Sequence, residues 1–325
     1  MPNTQDIPYA TLEQAAEWYA TFRSGVVDDD ERRRWQDWLA QDAGNRQAWA
    51  RVEAISQHVA IARQTPEASG AALHAASAQR QRRKLVKTLA LAAITTGLGW
   101  QLARQEEVQV AFAGLGASHR IGVGEHGETV LADGTRLWLD SGTVLDQRFD
   151  DALRLMVLHQ GEILLQSGQD ARRPLVVRSR QGSMRALGTR FQVRQFDGST
   201  RLGVSEGRVE VTPIDAPGPV LVVEAGQEVT FTRTGVSSPS ALPAAREAWT
   251  RGMLIADDLP LQEFLAELSR YRHGFLGCDP AIARLRVVGA FPIHDTGQAL
   301  AMLEAALPVR ARQVLPWWVS VGPRK

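Results

Sequence analysis

Apolar positions near the start of the chain recur every three to four residues, which is the spacing of an amphipathic helix. Thr11 and Gln14 have the spacing of a helix-capping box, and acidic residues open a second helical pattern in DDDERRRWQDWLAQ. Gly44 is a candidate stop before a third helix. Residues 1–62 are therefore predicted to form a helical bundle. Its first apolar stripe consists of Leu12, Ala15, Ala16, Tyr19 and Phe22.

Four tryptophans, Trp18, Trp35, Trp38 and Trp49, fall within this small region. A domain of this size needs large side chains to bury enough apolar area, so the rings are expected in its core. Tryptophan is also favoured at binding hot spots. Both interpretations can hold for different rings.

A long apolar run follows in residues 85–103, where a helix would span about 28 Å, close to the hydrocarbon thickness of a bilayer. The linker 63–84 ends in Arg82, Arg83 and Lys84, and Lys87 lies near the start of the run, whereas acidic residues follow the run. The positive-inside rule places the N-terminal side in the cytoplasm. A buried globular helix is the alternative. The stretch QRRKLVK also resembles a twin-arginine export signal, with Gln and Leu in place of the usual Ser and Phe.

Beyond a linker at 104–119 the apolar period changes to two, which is typical of half-buried strands. TVLADGTRLWLDSG alternates around Asp133-Gly134, a hairpin signal, and turn residues recur about every ten positions. Residues 120–232 are therefore predicted to be an all-β domain. The Ser-, Pro- and Ala-rich segment 233–248 is predicted to be a linker.

Residues 249–325 contain two strand–helix–strand patterns, with Asp258 and Asp295 as candidate helix caps. Together they predict a small α+β module. Its helices are expected to direct five apolar side chains inward: Leu261, Phe264, Leu268, Leu300 and Leu303. The whole chain is thus predicted to be a multidomain α+β protein.

Charge and composition point away from several functions. The formal net charge of +1 gives no overall basic field for nucleic acid. The single cysteine, Cys278, and seven scattered histidines show no metal-ligand spacing, so neither a metal nor a cofactor is expected. GVGEHG at 122–127 matches a dinucleotide-binding fingerprint, but a strand pattern follows where that site needs a helix. A membrane-anchored nucleotide-binding enzyme is therefore a remote alternative.

The runs LADGTRLWLDSGTVL, RALGTRFQVR, GVSEGRVEV and AGQEV resemble the periplasmic domain of FecR-family sigma-factor regulators. AAEWYATFRSG and WQDWLAQDAGNRQAWARV are similar to that family's cytoplasmic anti-sigma domain. WTRGMLIADDLPLQEFLAELSRYRHG and GAFPIHDTGQALAMLEAALPV are similar to its C-terminal module, which resembles the short N-terminal domain of secretins and TonB-dependent receptors (STN-like). The resemblance covers nearly the whole chain in the family's order.

This resemblance implies a single-pass inner-membrane signal transducer with a cytoplasmic N-terminus and a periplasmic C-terminus. Its implied partners are an extracytoplasmic-function sigma factor, a TonB-dependent outer-membrane receptor loaded with an iron chelate or siderophore, and membrane lipid, with no direct contact to nucleic acid. The four tryptophans would hold or present the sigma-binding surface, and the module containing the five apolar residues would face the receptor.

The resemblance also raises one chemical hypothesis. Some relatives are thought to break at a Gly-Thr bond, which here joins Gly188 to Thr189, by attack of the threonine hydroxyl on the preceding carbonyl. A plain turn that begins a strand is the alternative. Apart from this bond the chain is not expected to be an enzyme. A periplasmic scaffold or secretin-associated protein that uses the same STN-like module is the rival function.

Overall fold

The computed structural model describes residues 7–23, 29–64, 117–170, 172–216 and 221–324. The chain divides into two compact units, Met1–Pro66 with Arg251–Lys325, and Glu67–Thr250. The apolar run 85–103 and the basic residues from Arg82 to Lys87 lie outside the described residues. Within the described ranges, no helix has both the length and the apolar character that a membrane crossing needs.

Three helices form the N-terminal part: α1 (Tyr9–Arg23), α2 (Asp29–Gln41) and α3 (Ala43–Gln64). The helical pattern of this region is confirmed, but two boundary predictions are wrong. The capping box fails because α1 already begins at Tyr9, and the amide of Thr11 bonds to the Pro8 carbonyl. Gly44 is not a stop, because it lies in the first turn of α3, where its amide donates to Asp42 Oδ1 at 2.9 Å.

The β-rich unit is a sandwich of two sheets. The first sheet has the strand order β1-β4-β5-β7-β8-β11-β12 and the second the order β14-β13-β10-β9-β6-β3-β2. The strands are β1 (His119–Arg120), β2 (Gly127–Val130), β3 (Arg136–Leu139), β4 (Val144–Phe149), β5 (Arg154–Gln160), β6 (Glu162–Gln166), β7 (Leu175–Arg178), β8 (Gly182–Ala186), β9 (Arg190–Gln195), β10 (Thr200–Glu206), β11 (Arg208–Pro213), β12 (Leu221–Glu224), β13 (Gln227–Phe231) and β14 (Ser240–Ala241).

One apolar core fills the space between the two sheets, as expected for alternating strands. In β11, Val209 and Val211 point into this core while their neighbours are more exposed. The hairpin predicted at Asp133-Gly134 is confirmed, since β2 pairs with β3 in the register that places Val130 opposite Arg136. Gly134 has a φ of +80°, which explains the glycine at the turn.

The segment that its composition predicts to be a linker, 233–248, is partly built into this unit. β14 pairs with β13, and a 3₁₀ helix follows over Ala244–Arg251. Arg246 pairs with Glu228 on β13 at 3.0 Å, and Glu247 pairs with Arg190 on β9 at 2.7 Å. These two ion pairs hold the 3₁₀ helix Ala244–Arg251 against β9 and β13 of the second sheet.

The C-terminal part contains β15 (Met253–Pro260), α4 (Leu261–Ser269), β16 (Phe275–Cys278), β17 (Arg286–Pro292), α5 (Thr296–Ala306), β18 (Val309–Leu315) and β19 (Trp318–Pro323). β15 pairs with β17, and β19 pairs with β16 in parallel and with β18 in antiparallel fashion. The α+β prediction for this part is confirmed. Asp295 caps α5 by accepting from the Gln298 amide at 2.9 Å. The prediction for Asp258 is wrong: it lies inside β15 with a φ of +55°, and Pro260 is the residue before α4.

Within the first unit, the N-terminal helices and the C-terminal module share one apolar cluster. The Tyr9 hydroxyl donates to Ser320 Oγ at 2.6 Å, and the ring centroids of Tyr19 and Trp317 lie 5.7 Å apart. Arg312 on β18 forms an ion pair with Glu17 on α1. These contacts join the two ends of the chain.

Candidate functional site

The four predicted tryptophans all lie in the apolar cluster of the N-terminal helices. Trp38 is buried, and its Nε1 donates to Gln14 Oε1 at 3.0 Å. The Trp35 and Trp49 centroids are 5.0 Å apart with their planes at 62°, an edge-to-face arrangement that aromatic pairs favour. Trp18, Trp35 and Trp49 are only half-buried. The rings therefore hold α1, α2 and α3 together, and three of them also reach the surface.

The exposed side of α2 carries charge that the tryptophan pattern does not reveal. Arg32 pairs with Asp29 at 3.4 Å, and Arg33 pairs with Asp30, in both cases three residues apart on the helix. Solvent-exposed pairs of this kind contribute little to stability. They leave α2 with a polar surface next to the half-buried rings.

Gly188 and Thr189 lie in the turn between β8 and β9. Gly188 has a φ of +76°, and the Thr189 side chain is only 4% exposed. Thr189 Oγ1 is buried without a hydrogen-bond partner among the described residues. The hydroxyl that the cleavage hypothesis requires is therefore not engaged by any described group.

Ser167 forms two hydrogen bonds with the backbone of Thr189, one as an acceptor and one as a donor. Its Oγ accepts from the Thr189 amide at 3.0 Å, and its own amide donates to the Thr189 carbonyl at 2.9 Å. The sequence patterns did not single out Ser167. It follows β6 directly and is 22 positions from Thr189, so only the pairing of β6 with β9 brings the two together.

Gly207, the single residue between β10 and β11, packs against the Gly188 carbonyl of the same peptide bond. A Cβ at Gly207 would lie 2.4 Å from the Gly188 carbonyl oxygen, which is closer than real Cβ contacts allow. Gly207 also has a φ of +75°. Glycine is thus required there both by backbone conformation and by the close approach of Gly188.

A buried polar network lies beside this turn, along one wall of a cleft of about 810 Å³. Arg154 Nη1 donates to Asp133 Oδ2 at 2.7 Å, and Thr135 Oγ1 also donates to Asp133. The Gly168 amide donates in turn to Thr135 Oγ1 at 3.0 Å, which fixes the residue next to Ser167. Burial favours the protonated form of Asp133, but hydrogen bonds from Thr135 and Arg154 outweigh it and hold the pKa of that carboxyl below its usual range.

The five apolar residues predicted for the C-terminal module lie in its core, with exposures between 0% and 5%. They determine how α4 and α5 pack on the strands. A partner of this module would therefore contact mainly other side chains, although Leu300 also lines an open pocket. The five residues are Leu261, Phe264, Leu268, Leu300 and Leu303.

Three other chemical candidates can be placed among the described residues. Burial, with a smaller effect from Asp279, raises the pKa of the Cys278 thiol to about 11, so the thiolate is scarce at neutral pH. Within the described ranges, no group of three or more His, Cys, Asp or Glu side chains could hold a metal ion. The GVGEHG stretch leads into β2 and not into a helix, so it lacks the structural context of a dinucleotide site.

Two family models match this chain in separate regions. Residues 117–210 match the model described as FecR protein, and residues 13–55 match one described as a domain of unknown function (DUF4880). The first match covers most of the β sandwich, including the Gly188–Thr189 turn. The second covers α2 and the parts of α1 and α3 that carry the other tryptophans.

Two crystal structures resemble this chain, each described as a "putative anti-sigma factor" from Parabacteroides distasonis ATCC 8503, at 1.65 Å and 2.50 Å resolution. Both are 23% identical to this chain and cover 63% of it, with 98% and 97% of their own length matched and TM-scores of 0.53 and 0.52. A likeness at this identity concerns the fold. No curated protein matches the chain significantly.

Proposed function

We propose that this chain, a member of the FecR family, is a single-pass inner-membrane signal transducer that regulates an extracytoplasmic-function sigma factor. Residues 1–62 would bind the sigma factor, and residues 249–325 would contact a ligand-loaded TonB-dependent outer-membrane receptor. The observation that carries this proposal is the ordered pair of family matches, with the helical domain before the FecR domain. The anti-sigma description of the two similar crystal structures supports the same direction.

The construction of the modules supports a role in binding. The N-terminal helices present half-buried rings beside a charged helix face, a combination suited to a protein partner. The β sandwich has one continuous core, and the C-terminal module packs two helices on short strands. Such modules can transmit contacts without performing chemistry on a substrate.

The proposed topology has a consequence for the first unit. If residues 85–103 cross the membrane, α1 lies in the cytoplasm and β18 in the periplasm. The ion pair between Glu17 and Arg312 and the contact between Tyr19 and Trp317 then cannot form within one embedded chain. The membrane-spanning arrangement and the joined ends are mutually exclusive states.

Binding to sigma factors tests the main proposal. The full-length tagged chain, extracted from membranes with mild detergent, is incubated with each purified extracytoplasmic-function sigma factor of the same cell. We expect one factor to be retained, and the same chain without residues 1–62 to retain none. Failure to retain any of these factors would contradict the proposal.

We further propose that the bond between Gly188 and Thr189 can break without a protease. Thr189 Oγ1 attacks the Gly188 carbonyl carbon, the C–N bond breaks, and the hydroxyl proton passes to the new amine. Water then hydrolyses the ester to a Gly188 carboxylate and the Thr189 hydroxyl. The unengaged Oγ1 and the left-handed Gly188 support this step, and Ser167 would position the amide nitrogen.

Purified protein incubated over time tests the cleavage. We expect two fragments from the wild type, two from Thr189→Ser, which keeps a hydroxyl, and one intact band from Thr189→Ala. Ser167→Ala should slow the reaction, because the amide loses its acceptor. A wild-type chain that stays intact, or a Thr189→Ala chain that breaks at the same bond, would remove the hypothesis.

A further inference from the structure

The C-terminal module contains an open pocket of about 410 Å³. Its walls come from α5, β18, β19 and the turn after α4. Leu300, Ala301 and Val319 line it with apolar surface, and Arg272 and His273 lie on the turn. Glu304 lines the same pocket, so apolar surface, one permanent positive charge and one carboxylate meet there.

Arg272 has no anionic partner in the part of the chain that the structure describes. Its side chain is half-buried, and Nε is buried without a hydrogen bond. Desolvation alone lowers the pKa of this guanidinium, with no contribution from a nearby carboxylate. Removing a cation from water without a compensating charge destabilises the folded state.

Neighbouring arginines of the same module are different. Arg270, two residues earlier, pairs with Glu267 at 3.3 Å, and Arg286 pairs with Asp258 at 3.7 Å. Both find carboxylates within the module. Arg272 thus stands apart as a desolvated cation beside a cavity.

The Glu304 carboxylate in the pocket wall and the carboxylate of Asp295, the residue before α5, are both engaged by the backbone. Asp295 accepts from the Gln298 amide and caps α5, and Glu304 accepts from the Ala311 amide. Within the described residues neither carboxylate forms an ion pair with Arg272, and Asp295 already accepts from one amide in the first turn of α5. The guanidinium of Arg272 therefore carries a desolvated charge that a bound anion would compensate.

We propose that this pocket binds a carboxylate on a short apolar stem, namely an aspartate or glutamate side chain of the protein that the module contacts. The planar guanidinium suits bidentate pairing with a carboxylate. Leu300, Ala301 and Val319 would cover the methylene groups of the stem. This inference rests on the proposed receptor-contact function and identifies the site through which the module would bind the receptor.

A small dicarboxylate tests the pocket directly. Thermal unfolding of the full-length chain is measured with glutarate and with neutral glutaramide at matched ionic strength. The control variant is Arg284→Gln, which removes the same charge from an exposed position of the same module. We expect glutarate to raise the Tm of the wild type and of Arg284→Gln, glutaramide to leave it unchanged, and Arg272→Gln to lose the glutarate-dependent shift.

Two further Tm measurements distinguish an arginine that binds a ligand from one that only stabilises the fold. Without ligand, Arg272→Gln should melt at or above the wild-type Tm, because an uncompensated desolvated charge has been removed. A lower Tm with an unchanged glutarate response would overturn the inference. A phosphate-dependent shift as large as that with glutarate would overturn the assignment to a carboxylate.

Binding of the receptor's periplasmic signalling domain to the full-length chain connects the pocket to its partner. We expect Arg272→Gln to weaken this binding at least about tenfold and Arg284→Gln to leave it unchanged. Equal binding by the wild type and Arg272→Gln would overturn this inference while leaving the proposed function intact. No binding by either would count against the proposed function, and the glutarate measurement would still decide the pocket.

Discussion

Arg154 and Asp133 form an ion pair whose side chains are only 4% and 3% exposed. The Arg154 guanidinium also donates to the carbonyl of Arg173 at 2.9 Å, so it links the hairpin at Gly134 to the segment before β7. A buried pair of this kind is a weak net contributor when intact. Removing one partner is costly, because the other charge is left buried and uncompensated.

Arg154→Met should therefore destabilise the β unit by about 3–5 kcal/mol. The matched control is Arg136→Met, whose partner Glu128 lies 2.8 Å away, but both side chains are about half exposed. That loss should stay below about 1 kcal/mol. Urea unfolding of the full-length chain measures both. Equal losses would mean that water reaches the Arg154 pair.

Acid should weaken the ion pair between Arg154 and Asp133, because it protonates the Asp133 carboxylate. The folded-state pKa of this carboxyl lies below its unfolded value, so its contribution to stability is complete above pH of about 4 and is lost as the pH falls through the folded value. Asp133→Asn should therefore be less stable than the wild type at neutral pH and lose less stability between about pH 4 and pH 2. Parallel pH profiles for the two proteins would contradict this assignment.

Single residues also show which local features the sequence predicts and which it does not. Asp133-Gly134 was predicted as a turn because local residues determine turns, but nothing local connects it to Arg154, 21 positions away. Asp258 and Asp295 occupy similar places before helices, yet only Asp295 is a cap. The bulge in β15 between Ala256 and Leu259 takes Asp258 out of position. Such an irregularity arises from strand pairing and leaves no local pattern.

The turn between β8 and β9 depends on the turn between β10 and β11. Gly188 and Gly207 belong to different turns, and the carbonyl of one lies against the Cα of the other. The geometry of the candidate cleavage site is therefore a property of two packed elements. A change in the second turn should be felt at the first.

Gly207→Ala should destabilise the chain more than Gly198→Ala does. Both glycines have a φ of +75°, so the backbone strain is matched, but a Cβ at Gly198 meets nothing within 4 Å. Overpacking at Gly207 adds about 1–3 kcal/mol to that common cost. Urea unfolding measures the difference, and a gel time course shows whether cleavage at Gly188 also changes. Equal destabilisation by both variants would show that the contact with Gly188 is easily relieved.

Periodicity predicted the helices and the β2–β3 hairpin, because it reports which side of an element faces a core. It did not predict that β5 pairs with β7 in parallel, or that β14 adds to the second sheet. Those pairings join distant parts of the chain. β6 is buried on both faces over Glu162–Leu165, so its pattern does not alternate.

At the scale of the whole molecule, the order of domains was the strongest inference from the sequence. Matches over residues 13–55 and 117–210 confirm the family resemblance. The sequence does not predict the contacts between the two ends, because the apolar run at 85–103 predicts those ends on opposite sides of a membrane. α1 and β18 nevertheless meet in one compact unit.

Cross-linking decides between these two arrangements. Cys278 is the only native cysteine, so a Cys278→Ser background can carry Glu17→Cys with Arg312→Cys, and a short membrane-permeant bismaleimide can join residues that form an ion pair. We expect no link within one chain in intact membranes, because the span at 85–103 would separate the two positions. Deleting that span should allow the ends to meet and the link to form.

A second cysteine pair controls for the chemistry. Arg190→Cys with Glu247→Cys replaces an ion pair inside the β unit and should cross-link both in membranes and in the span-deleted chain. An intramolecular link between positions 17 and 312 in intact membranes would contradict the single crossing, because both positions would then lie on one side. The proposed receptor signal would in that case reach the N-terminal helices, proposed to bind the sigma factor, by direct contact through β18 and not through a transmembrane helix. The experiment therefore tests the route of the signal as well as the topology.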